Sequence, residues 1–316
     1  MTINKLFLSI LFLVVTHLTL AQNSSTCNCS THVSFKDKTD YETLLPAVAV
    51  KKKNASEVII YTRTDGESGN THKELKLKFN QRGLVAAKTE YNESGQPHAQ
   101  YDFERNGPGK IVKQRFNYLD STTALTVAEF TDYYYDLKAR LIKIKKRNEK
   151  GMVMPDIMAD FTKYEYDNSN RITKEVVQYY GNSGRDTSSH ITTYSYNDSK
   201  LTGQSQVFEH NKVSRIIKSQ YDKHWKPLRE TTYSSDGKTA IRYAIYEYDS
   251  QGRLNRLEVK GDGITTGRLN DGAFTEIYTY TAEGLISSIV RQYEDKKCEE
   301  VFEYNPALQK SPSIGL

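Results

Sequence analysis

Tyr246-Glu-Tyr-Asp-Ser-Gln-Gly-Arg-Leu254 is the stretch whose reading decides the fold. Alternating aromatics favour a pleated strand, Asp followed by Ser and Gly supplies a turn, and Arg-Leu opens a return strand. The nine residues read as a β-hairpin. Tyr164-Glu-Tyr-Asp-Asn-Ser-Asn-Arg-Ile172 is a second close copy, and Tyr133 to Leu141, Tyr194 to Leu201 and Tyr278 to Leu285 are looser ones. Tyr101-Asp-Phe103 begins another, Leu77 to Leu84 looks like one more, and Phe302-Glu-Tyr-Asn305 is a half repeat ending at Pro306. The second aromatics fall at 103, 135, 166, 196, 221, 248, 280 and 304, spaced by 32, 31, 30, 25, 27, 32 and 24 residues. At 221 the first aromatic is missing, as Ser219-Gln-Tyr-Asp222 shows. Periods of this length mark a repeat architecture.

Turn signals between the copies, such as Asp236-Gly237 and Gly261-Asp-Gly263, close the alternate ends. The result is an all-β chain, an antiparallel meander of tandem hairpins with about 18 strands between Glu57 and Tyr304, forming a curved or partly closed sheet. No stretch holds a 3.6-residue period with helix caps. Strand alternation puts both aromatics of each pair on one face: Tyr133 and Tyr135, Tyr164 and Tyr166, Tyr194 and Tyr196, Tyr246 and Tyr248, Tyr278 and Tyr280, and Phe302 with Tyr304. Glu165, Ser195, Glu247, Thr279 and Glu303 take the opposite, wet face. The ten tyrosines are the candidate ligand surface, since exposed rings are platforms for sugars. The bland reading packs them together as the core of the sheet.

The phrase Tyr-x-Tyr-Asp-x-x-Gly-Arg-Leu resembles the YD repeat of Rhs-type proteins, matched at every defined position by Tyr246 to Leu254. The resemblance runs from about Leu75 to Pro306 and implies hairpin architecture. In that family the repeats form a β-sheet spiral that encapsulates a toxin. This chain shows no recognisable self-cleaving aspartyl region or toxin domain, so the hairpins are expected to carry over and the cargo role is not. The hairpins also resemble the MORN-like repeats of antitoxin-type proteins.

Residues 1–21 read as a signal peptide: Lys5, an apolar run from Leu6 to Leu20, and a Leu-Ala-Gln exit. The run of about 15 residues is shorter than the roughly 20 a spanning helix needs. The ending is similar to export signals of Bacteroidetes. Ser24-Ser25-Thr26 before Cys27 lacks a lipobox, so the expectation is an exported protein, periplasmic or envelope-associated, without a transmembrane segment after cleavage. Residues 22–55 read as a flexible N-terminal segment, 56–306 as the repeat domain and 307–316 as a tail. Lys51-Lys52-Lys53 reads as linker charge. In an oxidising compartment a disulfide from Cys27 or Cys29 to Cys298 would tie the tail to the last repeat, and three unpaired thiols weigh equally.

Net charge is +5 over 316 residues, 26% of them charged, which gives no nucleic-acid footprint. There are 23 Tyr and 1 Trp, Trp225, in the degenerate copy. No catalytic elbow, His-Glu-x-x-His or phosphate loop occurs, and the histidines are scattered. The expectations are no enzyme, no cofactor and no metal. Lys143-Ile-Lys-Ile-Lys-Lys-Arg147 is a basic patch that could meet lipid phosphate or an acidic glycan, or simply be a solvated face. Asp120-Ser-Thr122 resembles an O-glycosylation sequon. The leading expectation is a non-enzymatic scaffold binding an envelope protein partner. The alternatives are a carbohydrate-binding module using the tyrosine ladder and an immunity or antitoxin-like protein.

Overall fold

The computed structural model describes residues 45–64, 71–92, 94–119, 128–148, 159–180, 187–261, 273–294 and 297–306. Residues 1–21, read above as a signal peptide, Cys27, Cys29, Asp120–Thr122 and residues 307–316 lie outside them. A short helix α1 (Ala47–Lys53) leads into eighteen strands. They are β1 (Ala55–Thr64), β2 (Thr71–Phe79), β3 (Val85–Tyr91), β4 (Pro97–Arg105), β5 (Ile111–Tyr118), β6 (Ala128–Tyr135), β7 (Leu141–Asn148), β8 (Ala159–Tyr166) and β9 (Ile172–Tyr180). The second half holds β10 (Thr187–Asn197), β11 (Thr202–Glu209), β12 (Lys212–Tyr221), β13 (Pro227–Ser234), β14 (Ala240–Tyr248), β15 (Leu254–Gly261), β16 (Phe274–Tyr280), β17 (Ile286–Gln292) and β18 (Lys297–Pro306).

Each strand pairs antiparallel with the next, and β18 pairs back onto β1. The meander therefore closes into a β-barrel, where the sequence pointed to a curved or partly closed sheet. Closure has a physical cause. The half repeat leaves β18 with an unpaired edge, a row of backbone donors and acceptors that must find partners. β1 carries no copy of the phrase, yet it matches that edge in register, with Val58 opposite Tyr304 and Ile60 opposite Phe302. Every extensive strand contact is between ring neighbours, so the wall is one layer thick. A ring of 18 strands is of the size whose interior side chains cannot fill.

Every other connection carries the repeat turn, so these turns gather at one end of the barrel. In most, the Asp or Asn N–H donates to the carbonyl four residues on, and the residue three on donates back: 136/140 and 139/136, 167/171 and 170/167, 249/253 and 252/249. The side chain then caps its own loop. Asp249 Oδ1 accepts from the N–H of Gln251 at 2.9 Å and of Arg253 at 2.8 Å. The fourth position is left-handed, which suits Gly252 (φ 74°) and places Ala139 (57°), Asn170 (64°) and Trp225 (62°) where L-residues are strained. The same turn also closes β3–β4 at the other end, from Asn92 to Gln96, a copy without the aromatic pair and so not evident in the phrase.

The apolar core is concentrated at the closing seam. Leu45, Ala49 and Val50 pack with Val58 and Ile60 of β1, Leu75 and Leu77 of β2, Ile286 and Ile289 of β17, and Phe302. Residues 45–53 thus dock on the barrel rather than extending the flexible segment expected over 22–55; seven residues are too few to show a helical period. Lys51, Lys52 and Lys53 fill the last turn of α1, complementing the helix dipole, and Lys53 lies 3.7 Å from Glu283. Cys298, on β18, is disulfide-bonded; Cys27 and Cys29, the other two cysteines, lie outside the described residues.

Charges are buried beside that core. Arg291 Nε donates to Glu276 at 2.7 Å, and Thr62 donates to Glu74. Glu300 is buried on the next strand, and one of its carboxylate oxygens meets no hydrogen-bond donor. Burial, then the charges of Glu74 and Glu276, push its carboxyl well above the usual range, with Arg291 opposing. An acid whose folded pKa exceeds its unfolded one holds its proton more tightly when folded. The stability it contributes is present below the ordinary value of 4.5 and is lost as pH rises towards the folded pKa. We expect Glu300→Gln to raise the melting temperature at pH 8 and leave it unchanged at pH 4. A parallel loss at both pH values in thermal denaturation would overturn this.

Candidate functional site: a polar groove behind the tyrosine ladder

The repeat phrase builds the wall in a consistent way. Seven of the eight hairpins closed by the repeat turn slip register just after it, where an extra residue bulges, as with Ile142 after Leu141, Thr173 after Ile172 and Asn255 after Leu254. A bulge disrupts ladder pairing locally. The second tyrosine of the following copy reaches back to that place. Tyr135 donates to the carbonyl of Ile111 (2.8 Å), Tyr166 to Leu141 (2.6 Å), Tyr196 to Ile172 (2.9 Å) and Tyr248 to Pro227 (2.8 Å). Tyr280 donates to Leu254 (2.7 Å) and Tyr304 to Ile286 (2.6 Å). In the 103–111 copy Arg105 stands at the second aromatic position and donates to Val85 instead, at 2.8 and 3.0 Å. The phrase there starts at Phe103, two residues later than the sequence suggested. Hairpin β10–β11 has no slip beside Tyr196, and the ring of Tyr221 covers Gly203, where a Cβ would lie 3.1 Å from its hydroxyl.

A turn cation completes four of the clamps, those of Tyr166, Tyr196, Tyr248 and Tyr280. Arg140 sits 4.8 Å from the Tyr166 ring centroid, Arg171 4.5 Å from Tyr196, and Arg253 4.4 Å from Tyr280, each also bonded to the Asp of its own turn. Burial raises the Asp167 carboxyl, but the backbone and guanidinium bonds of Arg171 outweigh it and hold the group below its usual range. Burial pushes the Tyr166 and Tyr280 phenols up to about 12 despite the neighbouring guanidiniums. Trp225 adds its indole to the stack, 5.0 Å from Tyr221, 5.9 Å from Tyr196 and 4.8 Å from Arg171.

First-position tyrosines turn to the preceding repeat. Tyr194 donates to Glu175 at 3.3 Å, Tyr246 to Glu230 at 2.8 Å and Tyr133 to Gln114 at 3.4 Å, while Tyr278 donates to Glu276 within its own strand. Tyr164 is 6% exposed. All ten candidate tyrosines thus lie on one face, as alternation required, and at least nine of them have hydroxyls bonded inside the chain. Glu165, Ser195, Glu247, Thr279 and Glu303 are exposed on the other face. In the basic patch, Arg147 bonds Asp132 at 2.7 Å and lies over Phe130, and Lys143 lies between Tyr134 and Phe161 at 5.7 and 5.8 Å.

A concavity of about 750 Å³ lies on the face opposite the ladder, spanning β10 to β14. Pairing places Ser195, Gln204, Lys218, Thr231 and Tyr243 directly opposite one another on five successive strands, a straight polar row across the wall. One step along the strands, Thr202, Gln220 and Arg229 form a second row. Tyr233 stands beside them, with Lys218 4.6 Å from its ring; Arg229 lies 5.6 Å from the ring of Tyr243. Among the described residues no Asp or Glu lines the cavity. Lys218 and Arg229 form no ion pair with any described residue. The sequence carried a weak signal for this: the polar run Thr202-Gly-Gln-Ser-Gln206 and the degenerate copy at 221 depart from the repeat here. Among the described residues no three His, Cys, Asp or Glu side chains gather as a metal site.

No protein-family model and no curated protein matches the sequence. Solved structures that resemble it include the TcdB2-TccC3-Cdc42 complex, at 12% identity and a TM-score of 0.26, covering 76% of this chain and 14% of that one. A porin-like protein from Bacteroides uniformis aligns at 9% identity and a TM-score of 0.38, over 79% of this chain and 98% of that one. A Photorhabdus luminescens Tc holotoxin pore aligns at 13% and 0.25, over 75% and 14%. The chain spans about a seventh of the toxin chains it resembles. Likenesses this slight carry no functional argument.

The clamps make quantitative expectations. Replacing Ala139 by Gly relieves a left-handed L-residue and should stabilise by about 1 kcal/mol. Tyr166→Phe, which strands the Leu141 carbonyl, should cost about 1–2 kcal/mol, and Trp225→Gly should destabilise despite its favourable φ. Urea denaturation checks all three; a neutral Tyr166→Phe would show that the hydroxyl does not hold the bulge.

Proposed function

We propose that this chain is an exported, non-enzymatic YD-like repeat barrel of the bacterial envelope that binds a protein partner. The carrying observation is where the repeat's polar groups go. Tyrosine hydroxyls, turn carboxylates and turn guanidiniums hold one hairpin to the next, which makes the ladder framework rather than a platform. A protein contact is favoured at the turn end. On the β6–β7 hairpin Leu137 is fully exposed, and Tyr134 and Ile142 are 44% and 37% exposed. Large apolar side chains grouped on one hairpin tip, with Lys138 and Lys143 beside them, fit the centre and rim of a protein interface.

Envelope association is proposed without membrane insertion. Both faces carry charge at mid-strand: Lys145, Lys163, Lys218 and Glu258 on one, Lys88, Glu175, Glu276 and Arg291 on the other. A lysine or arginine facing lipid at the bilayer midplane costs about 2–4 kcal/mol, so neither face suits hydrocarbon. The test is crosslinked co-purification of the tagged protein from its native envelope, beside a Leu137→Asp/Ile142→Asp variant. The expected result is one stoichiometric protein partner, lost in the variant, from a protein that stays soluble without detergent. Equal recovery by the variant, or extraction only with detergent, would overturn the reading.

A further inference from the structure

We infer that the groove across β10–β14 is a binding site for an anionic glycan, a sugar chain bearing carboxylates. Three features point to this chemistry. The first is shape: the row from Ser195 to Tyr243 crosses five strands, and strands lie about 4.8 Å apart. The floor is therefore a straight track of about 20 Å, long enough for several sugar units laid across the strands. The second is lining. Amide and hydroxyl side chains, Gln204, Gln220 and Thr231, alternate with the rings of Tyr233 and Tyr243. Amides match the paired hydroxyls of a sugar, and tyrosine offers an apolar face with a polar edge. Among the described residues the only aliphatic side chain lining the cavity is Ala240, which disfavours a peptide, whose docking depends on a buried apolar centre.

Charge is the third. Lys218 and Arg229 are diagonal neighbours on β12 and β13, both exposed, in a cavity with no carboxylate among its described lining residues. The basic row does not extend unbalanced beyond the groove: the next strand brings Lys260 opposite Tyr243, and Lys260 is bonded to Glu258. Elsewhere on the barrel the turn arginines Arg140, Arg171 and Arg253 are each bonded to the aspartate of their own turn. Two cations left over a tyrosine-lined track are placed to meet ligand carboxylates, with Arg229 able to bind one through two parallel hydrogen bonds. This site is separate from the hairpin tip proposed for a protein partner, and either reading can fail without the other.

The purified full-length protein should be titrated calorimetrically with oligogalacturonate, maltohexaose and poly-glutamate at low salt, alongside a Lys218→Gln/Arg229→Gln variant and a Tyr243→Ala variant. The expected result is saturable binding of oligogalacturonate, at least tenfold weaker in each variant, with maltohexaose and poly-glutamate binding at least tenfold more weakly than oligogalacturonate to the unaltered protein. Should a variant fold poorly by circular dichroism, protection of Lys218 from amine labelling by bound oligogalacturonate gives the same answer on the native chain. No binding of oligogalacturonate, affinity unchanged in folded variants, Lys218 labelled as fast with the oligosaccharide as without, or poly-glutamate binding as tightly would each overturn the inference.

Discussion

The structure depends on one hydrogen bond made over and over: a tyrosine hydroxyl of one repeat donated to a carbonyl of the repeat before it. Every repeat-turn hairpin but β10–β11 carries a bulge, which helps the tight turn and the twist of the strands stay in phase along a curved wall. The bulge breaks the ladder at that carbonyl, and a single-layer wall has no second sheet behind it to supply a donor. The neighbouring repeat supplies it. In three copies the same tyrosine ring, Tyr166, Tyr196 or Tyr280, lies under the turn guanidinium of the preceding copy, so a single side chain serves the backbone and the cation together.

This explains why so little of the barrel resembles an ordinary hydrophobic core. Aliphatic packing is concentrated where the repeat fails, at the seam between β1 and β18, and there α1 adds Leu45, Ala49 and Val50. Around the rest of the ring, neighbour contacts and clamps hold the wall, each worth on the order of 1 kcal/mol. Stability distributed in this way tolerates local departures. The copy at 221 lacks the first aromatic and its preceding hairpin lacks the slip, so the tyrosine covers a glycine and Trp225 fills the space. Arg105 substitutes for a tyrosine in a third way, by placing a guanidinium at the same carbonyl.

Such departures also bear on function. A repeat that spends its aspartates, arginines and tyrosines on its neighbours has little left with which to bind anything. The groove over β10–β14 lies where the pattern is weakest, and most of the residues lining it present side chains on the face that clamping does not use, Tyr196 and Ser219 being the ladder-face exceptions. Lys218 and Arg229 are available there because the opposite face of β12 and β13 holds Ser219 and Glu230, which are bonded inward.

The sequence by itself determined the element type, the number of strands, the turn chemistry and the alternation that sorts tyrosines to one face and Glu165, Ser195 and Glu247 to the other. All of these follow from residues within one hairpin, where spacing and backbone preference suffice. Closure, the docking of α1 and the role of the tyrosines were decided only by tertiary structure. β1 has no repeat phrase to announce its pairing, a seven-residue helix shows no period, and a hydroxyl that reaches a carbonyl some 25 residues away leaves no local mark. The groove was hidden for the same reason. Ser195, Gln204, Lys218, Thr231 and Tyr243 are scattered over 49 positions, and strand register alone sets them in one row.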